Sequence, residues 1–347
     1  MAFLFSSAQR ETHQQKRDGL DESDFNLTVQ LGQAAPVKAV AHLRGQSSLD
    51  CARKSYAVNL DGPTLRRLAP EAASDEFMLI SMCLDDGYFR QQFANRVFRE
   101  WGLFPLISEV VELVIDGVSQ GAYLLVEKPK ESLLAGLVEP QVILRRNFDP
   151  EGKAEDVKYP SDPEEAAAAL DVYEAVTALV DTLEPNALEG ALMPRVDMER
   201  HLSWLAFQSW MRNGDYVDEV YFYASAEGAS GDWYFRTHSW DSDDLFSDCH
   251  HGGKHAVPDP HEIAYCVEGD LDRSILRSPG LYLRFLDRLE EMITGDLDPE
   301  RVGEHLAVVR DGLFARLDSS ESCGAMVEIG AGGCEELHGE IEARMEQ

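Results

Sequence analysis

Apolar and polar positions change their rhythm once along the chain. FNLTVQL, VKAVAHL and SYAVNL alternate or run apolar between polar turns, the two-residue period of half-buried strands, and FMLISM (77–82) is a short buried run. EVVELVIDG (109–117) and QGAYLLVEK (120–128) predict two strands joined by a tight turn on Asp116-Gly117, and QVILRRN (141–147) predicts another. Among these strands, residues 86–102 set Phe89, Phe93, Val97 and Trp101 at helical spacing, with Gly102 as the stop. Past residue 160 the helical period dominates. Helices are predicted over 162–183, 197–215, 279–293 and 299–317, the first opened by Asp162-Pro163 and an acidic turn. In the second, Leu202, Leu205, Ala206 and Trp210 share a face; these, with Trp204 and Phe207, read as core. EVYFYAS (219–225) and DWYFRTH (232–238) interrupt the helices as a hairpin.

The expected fold class is therefore α+β in two lobes. A strand-rich lobe spans 1–130, and a mainly helical lobe spans 131–347 and carries the hairpin. The 347 residues suffice for two cores. The net charge of 31 − 63 = −32 argues against a nucleic-acid or anionic-membrane partner and suits a basic protein or peptide partner. No apolar run is long enough to span a membrane, and MAFLFSSAQR is too short and polar for an intact signal peptide. Six scattered cysteines, none in a CxxC pair, are compatible with disulfides or with reduced thiols; Cys323 and Cys334 are close enough to close a short loop.

Four stretches carry candidate chemistry. GVSQG (117–121) fits a nucleophile elbow, but a strand rather than a helix follows it, so Ser119 reads as a turn residue. RGQSSLDCARKSYAVNL (44–60) sets Arg44 and Lys54 around a polar loop suited to an anion, although a solvated Lys54 is the blander reading. RNGDYVDEVYFYA (212–224) crowds Asn213, Asp215, Asp218 and Glu219 into one turn. HSWDSDDLF (238–246) puts Asp241, Asp243 and Asp244 within four positions. Carboxylates this dense repel one another unless a cation lies between them, and their hard oxygens suit Mg²⁺, Mn²⁺ or Ca²⁺. A hairpin between the last two stretches sets Asp215 beside Asp241. One would hold a metal on ATP phosphates and the other would orient a hydroxyl, as in the second lobe of protein kinases. Lys54 then falls where a kinase keeps its phosphate-binding lysine, and Glu127 falls near the expected adenine pocket.

These blocks carry a family resemblance. RGQSSLDCARKSY, GAYLLVEK, NGDY…YFYA and DWYFRTHSWDSDDLF together resemble, in order and spacing, the motifs of the CotH family of spore-coat-type atypical protein kinases. The resemblance implies a protein kinase-like two-lobed fold, ATP, a divalent metal and a protein substrate phosphorylated on Ser/Thr. It implies phosphate contacts for Arg44 and Lys54, a place by the nucleotide for Glu127 and Trp240, Asp215 as catalytic aspartate, and Asp241 with Asp243 at the metal. It also gives a lean to an extracytoplasmic or coat-associated setting. The chain departs from the pattern at VDEV (217–220), which lacks the usual Asn, so that Asp218 or Glu219 supplies the second metal contact or that contact is lost, and at Ser239, where Pro is usual. The altered VDEV turn keeps open a non-catalytic binding or coat-assembly protein on the same fold, and an AMP transferase using the same pocket is a further alternative. DCHHGGKH (248–255) is a soft-metal candidate or a loop with a Cys249–Cys266 bond, and Arg145 and Arg146 end a strand as phosphate ligands or surface partners.

Overall fold

The structure is a computed structural model. It describes the whole chain except residues 69, 86, 105–106, 137–138, 150–151, 226–232, 250–262, 318–319, 328–332 and 347. Two compact units are present. One comprises Met1–Arg96, Pro105–Ala135 and Glu304–Gln347; the other comprises Val97–Phe104 and Gly136–Gly303.

In the first unit, seven strands close into a barrel: β1 (Ala2–Leu4), β2 (Phe25–Gln30), β3 (Val37–Arg44), β4 (Ser55–Leu60), β5 (Glu76–Ile80), β6 (Ser108–Ile115) and β7 (Val118–Glu127). The order around it is β1-β2-β3-β4-β5-β7-β6. Alternate residues of each strand point inward, so Phe3, Leu27, Val29, Leu43, Tyr56, Val58, Phe77, Leu79, Leu113 and Tyr123 fill the interior. Closure depends on β1, which pairs antiparallel with β2 and parallel with β6. The β6–β7 turn secures it. Asp116 and Gly117 both have positive φ (48° and 86°), the backbone that a two-residue hairpin turn demands. Asp116 then donates its N–H to the Phe3 carbonyl (3.0 Å), and its carboxylate accepts from the Phe5 N–H (3.0 Å) and from Arg10. Arg10 lies on the helix Ser7–Gly19, which starts at a Ser6/Gln9 capping box.

The expected protein kinase-like two-lobed fold, a strand-rich lobe followed by a mainly helical one, is not what the chain adopts. The first strands do not form an open lobe sheet, because three residues at the start bridge β2 and β6 into a closed barrel. The stretch expected to be helical with one hairpin holds a four-stranded sheet.

That sheet belongs to the second unit. It consists of β8 (Val142–Asp149), β9 (Gly152–Tyr159), β10 (Val220–Ser225) and β11 (Tyr234–Ser239) in the order β11-β10-β8-β9, every neighbour antiparallel. Two helices cover one face. Pro163–Thr177 starts where the Asp162 carboxylate accepts from the N–H groups of Glu164 and Glu165, and Met198–Trp210 starts on the Asp197 carboxylate. From the first, Tyr173 packs on Phe222 and Phe235 (5.3 and 5.2 Å between rings). From the second, Trp204, Leu205 and Phe207 are wholly buried as core, whereas Trp210, expected on the same face, is 36% exposed at the helix end. All six cysteines pair, as Cys51–Cys83, Cys249–Cys266 and Cys323–Cys334.

The Asp116 turn yields a stability test. Asp116→Ala leaves the Phe5 N–H without its acceptor and puts an alanine at positive φ, for an expected loss of about 2–4 kcal/mol. Asp116→Asn keeps an acceptor oxygen and tolerates the left-handed backbone, so urea denaturation should show a loss below about 1 kcal/mol. Equal losses from both substitutions would show that the turn does not close the barrel.

Candidate active site

The β10–β11 hairpin pairs Val220 with Ser239 and Tyr221 with His238, so the residues just outside it meet. The Trp240 N–H donates to the Glu219 carbonyl (3.1 Å). Beyond that point the chain runs back along the end of the helix Met198–Trp210. The N–H groups of Phe246 and Ser247 donate to the carbonyls of Met211 and Arg212 (2.9 and 3.1 Å), and Gly214 donates to the Asp244 carbonyl (3.2 Å). A Cβ at Gly214 would lie 1.9 Å from the Asp248 carbonyl oxygen, so only glycine permits this approach. Two acidic stretches distant in sequence are thereby laid side by side.

Asp215, Glu219 and Asp244 are the result. Their carboxylate oxygens lie within 4.8 Å of one another, close to the ~4.2 Å that separates opposite ligands of one Mg²⁺. Glu219 is buried, and the other two are half-buried. Asn213, wholly buried, sets the geometry. Its amide N–H groups donate to Glu219 Oε2 (2.7 Å) and Gln208 Oε1 (3.0 Å), and its carbonyl oxygen accepts the Asp215 N–H (3.0 Å). The turn between the carboxylates is pinned from beneath. The Tyr216 hydroxyl donates to the carbonyls of Tyr265 and Cys266 (2.8 Å each), and Arg146 Nε donates to the Val217 carbonyl.

Electrostatics makes this packing costly without a cation. Burial, then the charges of Asp218, Asp244 and Asp241, push the Asp215 carboxyl up to about 8, and Arg145 opposes them. Burial, then Asp243, Asp241 and Asp215, push Glu219 well above the ordinary carboxylate range. Three hard-oxygen donors whose ionised forms repel one another fit a divalent ion such as Mg²⁺ or Mn²⁺, which would favour those forms.

The CotH kinase protein family matches this chain over residues 41–321, a span that holds the acidic site and every residue given a role from sequence. The chain belongs to the CotH kinase family. No curated protein matches it. Membership makes a kinase-type reaction the relevant chemistry, with ATP and a divalent ion implied.

In this CotH kinase family member, the residues assigned from sequence fall in both units. Arg44, Lys54 and Glu127 lie in the first. Arg44 ends β3 opposite Ser55, and the Lys54 ammonium donates to the Leu49 carbonyl of its own loop. The neighbouring Arg53 is buried in the barrel wall, donating to the Gln120 and Ala122 carbonyls and lying over the Tyr123 ring (4.7 Å). The wholly buried Glu127 accepts the Ala73 and Ile107 N–H groups (2.7 and 3.1 Å), tying two loops to β7. In the second unit, Trp240 is buried against Phe104 and edge-on to Tyr221. Asp241 and Asp243 add charge to the cluster. The group at ligand spacing among the described residues is Asp215, Glu219 and Asp244. Of the VDEV turn, Glu219 belongs to that group. Asp244 lies in the acidic run noted in the sequence, where Asp241 adopts a left-handed backbone (φ 49°) rather than the extended one that strand alternation assumes. Of the DCHHGGKH candidate, residues 250–255 lie outside the described residues.

A raised carboxyl pKa has a signed consequence. The folded protein holds a proton on Asp215 that the unfolded chain releases near pH 4, so metal-free stability falls as pH rises from about 4 to about 8. Asp215→Asn removes this loss. Its metal-free Tm should exceed that of the wild type at pH 8 by a few degrees, and the difference should shrink toward pH 5 (an approximate lower limit). Saturating Mn²⁺ should raise the wild-type Tm more than that of the variant. Parallel Tm profiles with and without Mn²⁺ would show that Asp215 is not part of a cation site.

Proposed function

We propose that this chain transfers the γ-phosphate of ATP to Ser or Thr hydroxyls of a partner protein, using Mg²⁺ or Mn²⁺ at the acidic cluster. The reading is carried by Asp215, Glu219 and Asp244, three carboxylates held at ligand spacing in a member of a kinase family. The bound ion would neutralise charge on the phosphate oxygens. Glu219 and Asp244 are assigned to hold it, Glu219 being oriented by Asn213. Asp215 is assigned to the acceptor hydroxyl, the role of catalytic aspartate that the family resemblance implies, beside the ion held by the other two carboxylates. The nucleotide roles of Arg44, Lys54, Glu127 and Trp240, and metal contacts from Asp241 and Asp243, belong to the same proposal and rest on the sequence blocks.

The net charge of −32 supports a Lys/Arg-rich, Ser-bearing acceptor segment. Pairing of all six cysteines supports an oxidising, extracytoplasmic setting. Purified without reductant, the unfolded protein should take up no thiol reagent, and uptake at all six cysteines would refute that setting.

Incubation with γ-labelled and, separately, α-labelled ATP plus Mn²⁺ and a basic Ser-rich peptide tests the reaction. Label should come from γ only and should fall by at least about 100-fold in Asp215→Ala and Asp244→Ala. Label from α would establish AMP transfer instead, and no label from either would leave a binding protein. Unchanged labelling in both variants would remove the acidic cluster from the chemistry.

A further inference from the structure

We infer that Arg145 is the anion-binding cation of the acidic site and grips phosphate oxygens of the bound nucleotide, an assignment that rests on the phosphotransfer reading. Arg145 and Arg146 are adjacent on β8, so strand alternation sends their side chains to opposite faces. Arg146 goes to the helix-covered face, where it is fully buried. It lies over the rings of Trp204 and Phe222, bonds Asp272 (3.1 Å) and donates to the Val217 carbonyl beneath the Asp215–Glu219 turn. It is consumed by structure.

Arg145 takes the other face. Its partner on β10 is Tyr221, two residues past Glu219, and Tyr221 meets Trp240 edge-on (6.3 Å). That register sets Arg145 close to the Asp215–Glu219 turn, and its charge opposes the upward shift of the Asp215 carboxyl. Register places Asp156 of β9 directly across from Arg145, the carboxylate best placed to neutralise it, but Asp156 is paired with Lys158. Among the described residues the Arg145 side chain makes no hydrogen bond or ion pair, and its Nε is shielded from solvent without a partner. A shielded guanidinium N–H beside a cation site calls for an oxygen from outside the chain. Phosphate fits, because the guanidinium fork presents parallel N–H groups to paired oxygens. The ion held by the carboxylates and the arginine would then bind one polyphosphate from two sides.

Opposite responses to a cation and an anion test this assignment. Calorimetry should show that Arg145→Gln binds Mn²⁺ alone more tightly, by about two- to fivefold, since a positive charge has left the rim. The same variant, saturated with Mn²⁺, should bind ATP about 10- to 100-fold more weakly, the loss expected for charge-assisted hydrogen bonds. Arg145→Lys, which keeps the charge and loses the fork, should fall between. Tighter Mn²⁺ with unchanged ATP affinity would make Arg145 a counterion of the carboxylates and overturn the inference. Weakening of both ligands together would make it structural and overturn it equally. A wild-type protein that binds Mn²⁺ but not ATP would sink the phosphotransfer reading itself, a result obtained before any variant is made.

Discussion

Crowding of like charge is the constraint around which the second unit is built. Asp215, Glu219 and Asp244 are drawn to within 4.8 Å, and Glu219 is taken almost out of solvent. Nothing in local preference favours this, since ionised carboxylates at such spacing repel strongly in a low-dielectric setting. The arrangement therefore has to be over-determined elsewhere, and it is. Backbone bonds join 211–214 to 244–247, Asn213 bridges both sides of the Asp215–Glu219 turn, and Arg146 and Tyr216 hold that turn from below. Left-handed backbones at Arg212, Asp241 and Phe246, non-glycine residues with φ between 47° and 62°, surround the cluster. Strain of this kind persists where surrounding contacts enforce it, and it gathers at functional sites.

The support has its own foundation in a buried ionic network. Arg146 faces Asp272 across a fully buried interface, and His201, held at Thr237 Oγ1 (3.0 Å), lies 3.3 Å from the same carboxylate. Burial alone would push Asp272 up, but Arg146 and His201 pull it well below the ordinary range. The network adds little net stability over an apolar replacement, because desolvation offsets most of the attraction. Its contribution is direction. A guanidinium shared between Asp272 and the Val217 carbonyl fixes where the turn sits, a degree of specification that apolar packing does not supply.

The hairpin was legible in the sequence because two short aromatic-rich runs, Tyr221–Tyr223 and Trp233–Phe235, interrupt the helical period, and from the hairpin followed the meeting of the stretches around 215 and 241. The three-residue β1 was not legible. It is too short to show a period, yet it decides between an open sheet and a barrel. GKAEDVKY gave no strand signal either: β9 lies at the sheet edge, where polar residues are tolerated. The helix Ser7–Gly19 is almost wholly polar and announces itself only through Ser6 and Gln9. Within the site, composition pointed to the two acidic segments, and the group at ligand spacing among the described residues draws Asp244 from the second of them. Asp241 and Asp243 share a side only if the backbone is extended, and the left-handed turn at Asp241 brings Asp244 inward. A non-glycine residue with positive φ has no strong sequence mark, so this choice is made by tertiary contacts.

The division of labour between two adjacent arginines follows from the same geometry. On a strand with one face packed against helices, neighbouring cations meet opposite environments. Arg146 is committed to Asp272 and the turn, and Arg145 is left at the edge of a negative cluster whose members are already held by other bonds. In a chain of net charge −32, a polyphosphate approaching three carboxylates is repelled by both the near and the far field. One guanidinium cannot reverse that balance. On the proposed reading, an ion at the carboxylates would change the local sign first, and a single arginine beside them could then orient the phosphates. If the proposed phosphotransfer holds, this electrostatics would favour nucleotide arriving as its metal complex over bare ATP.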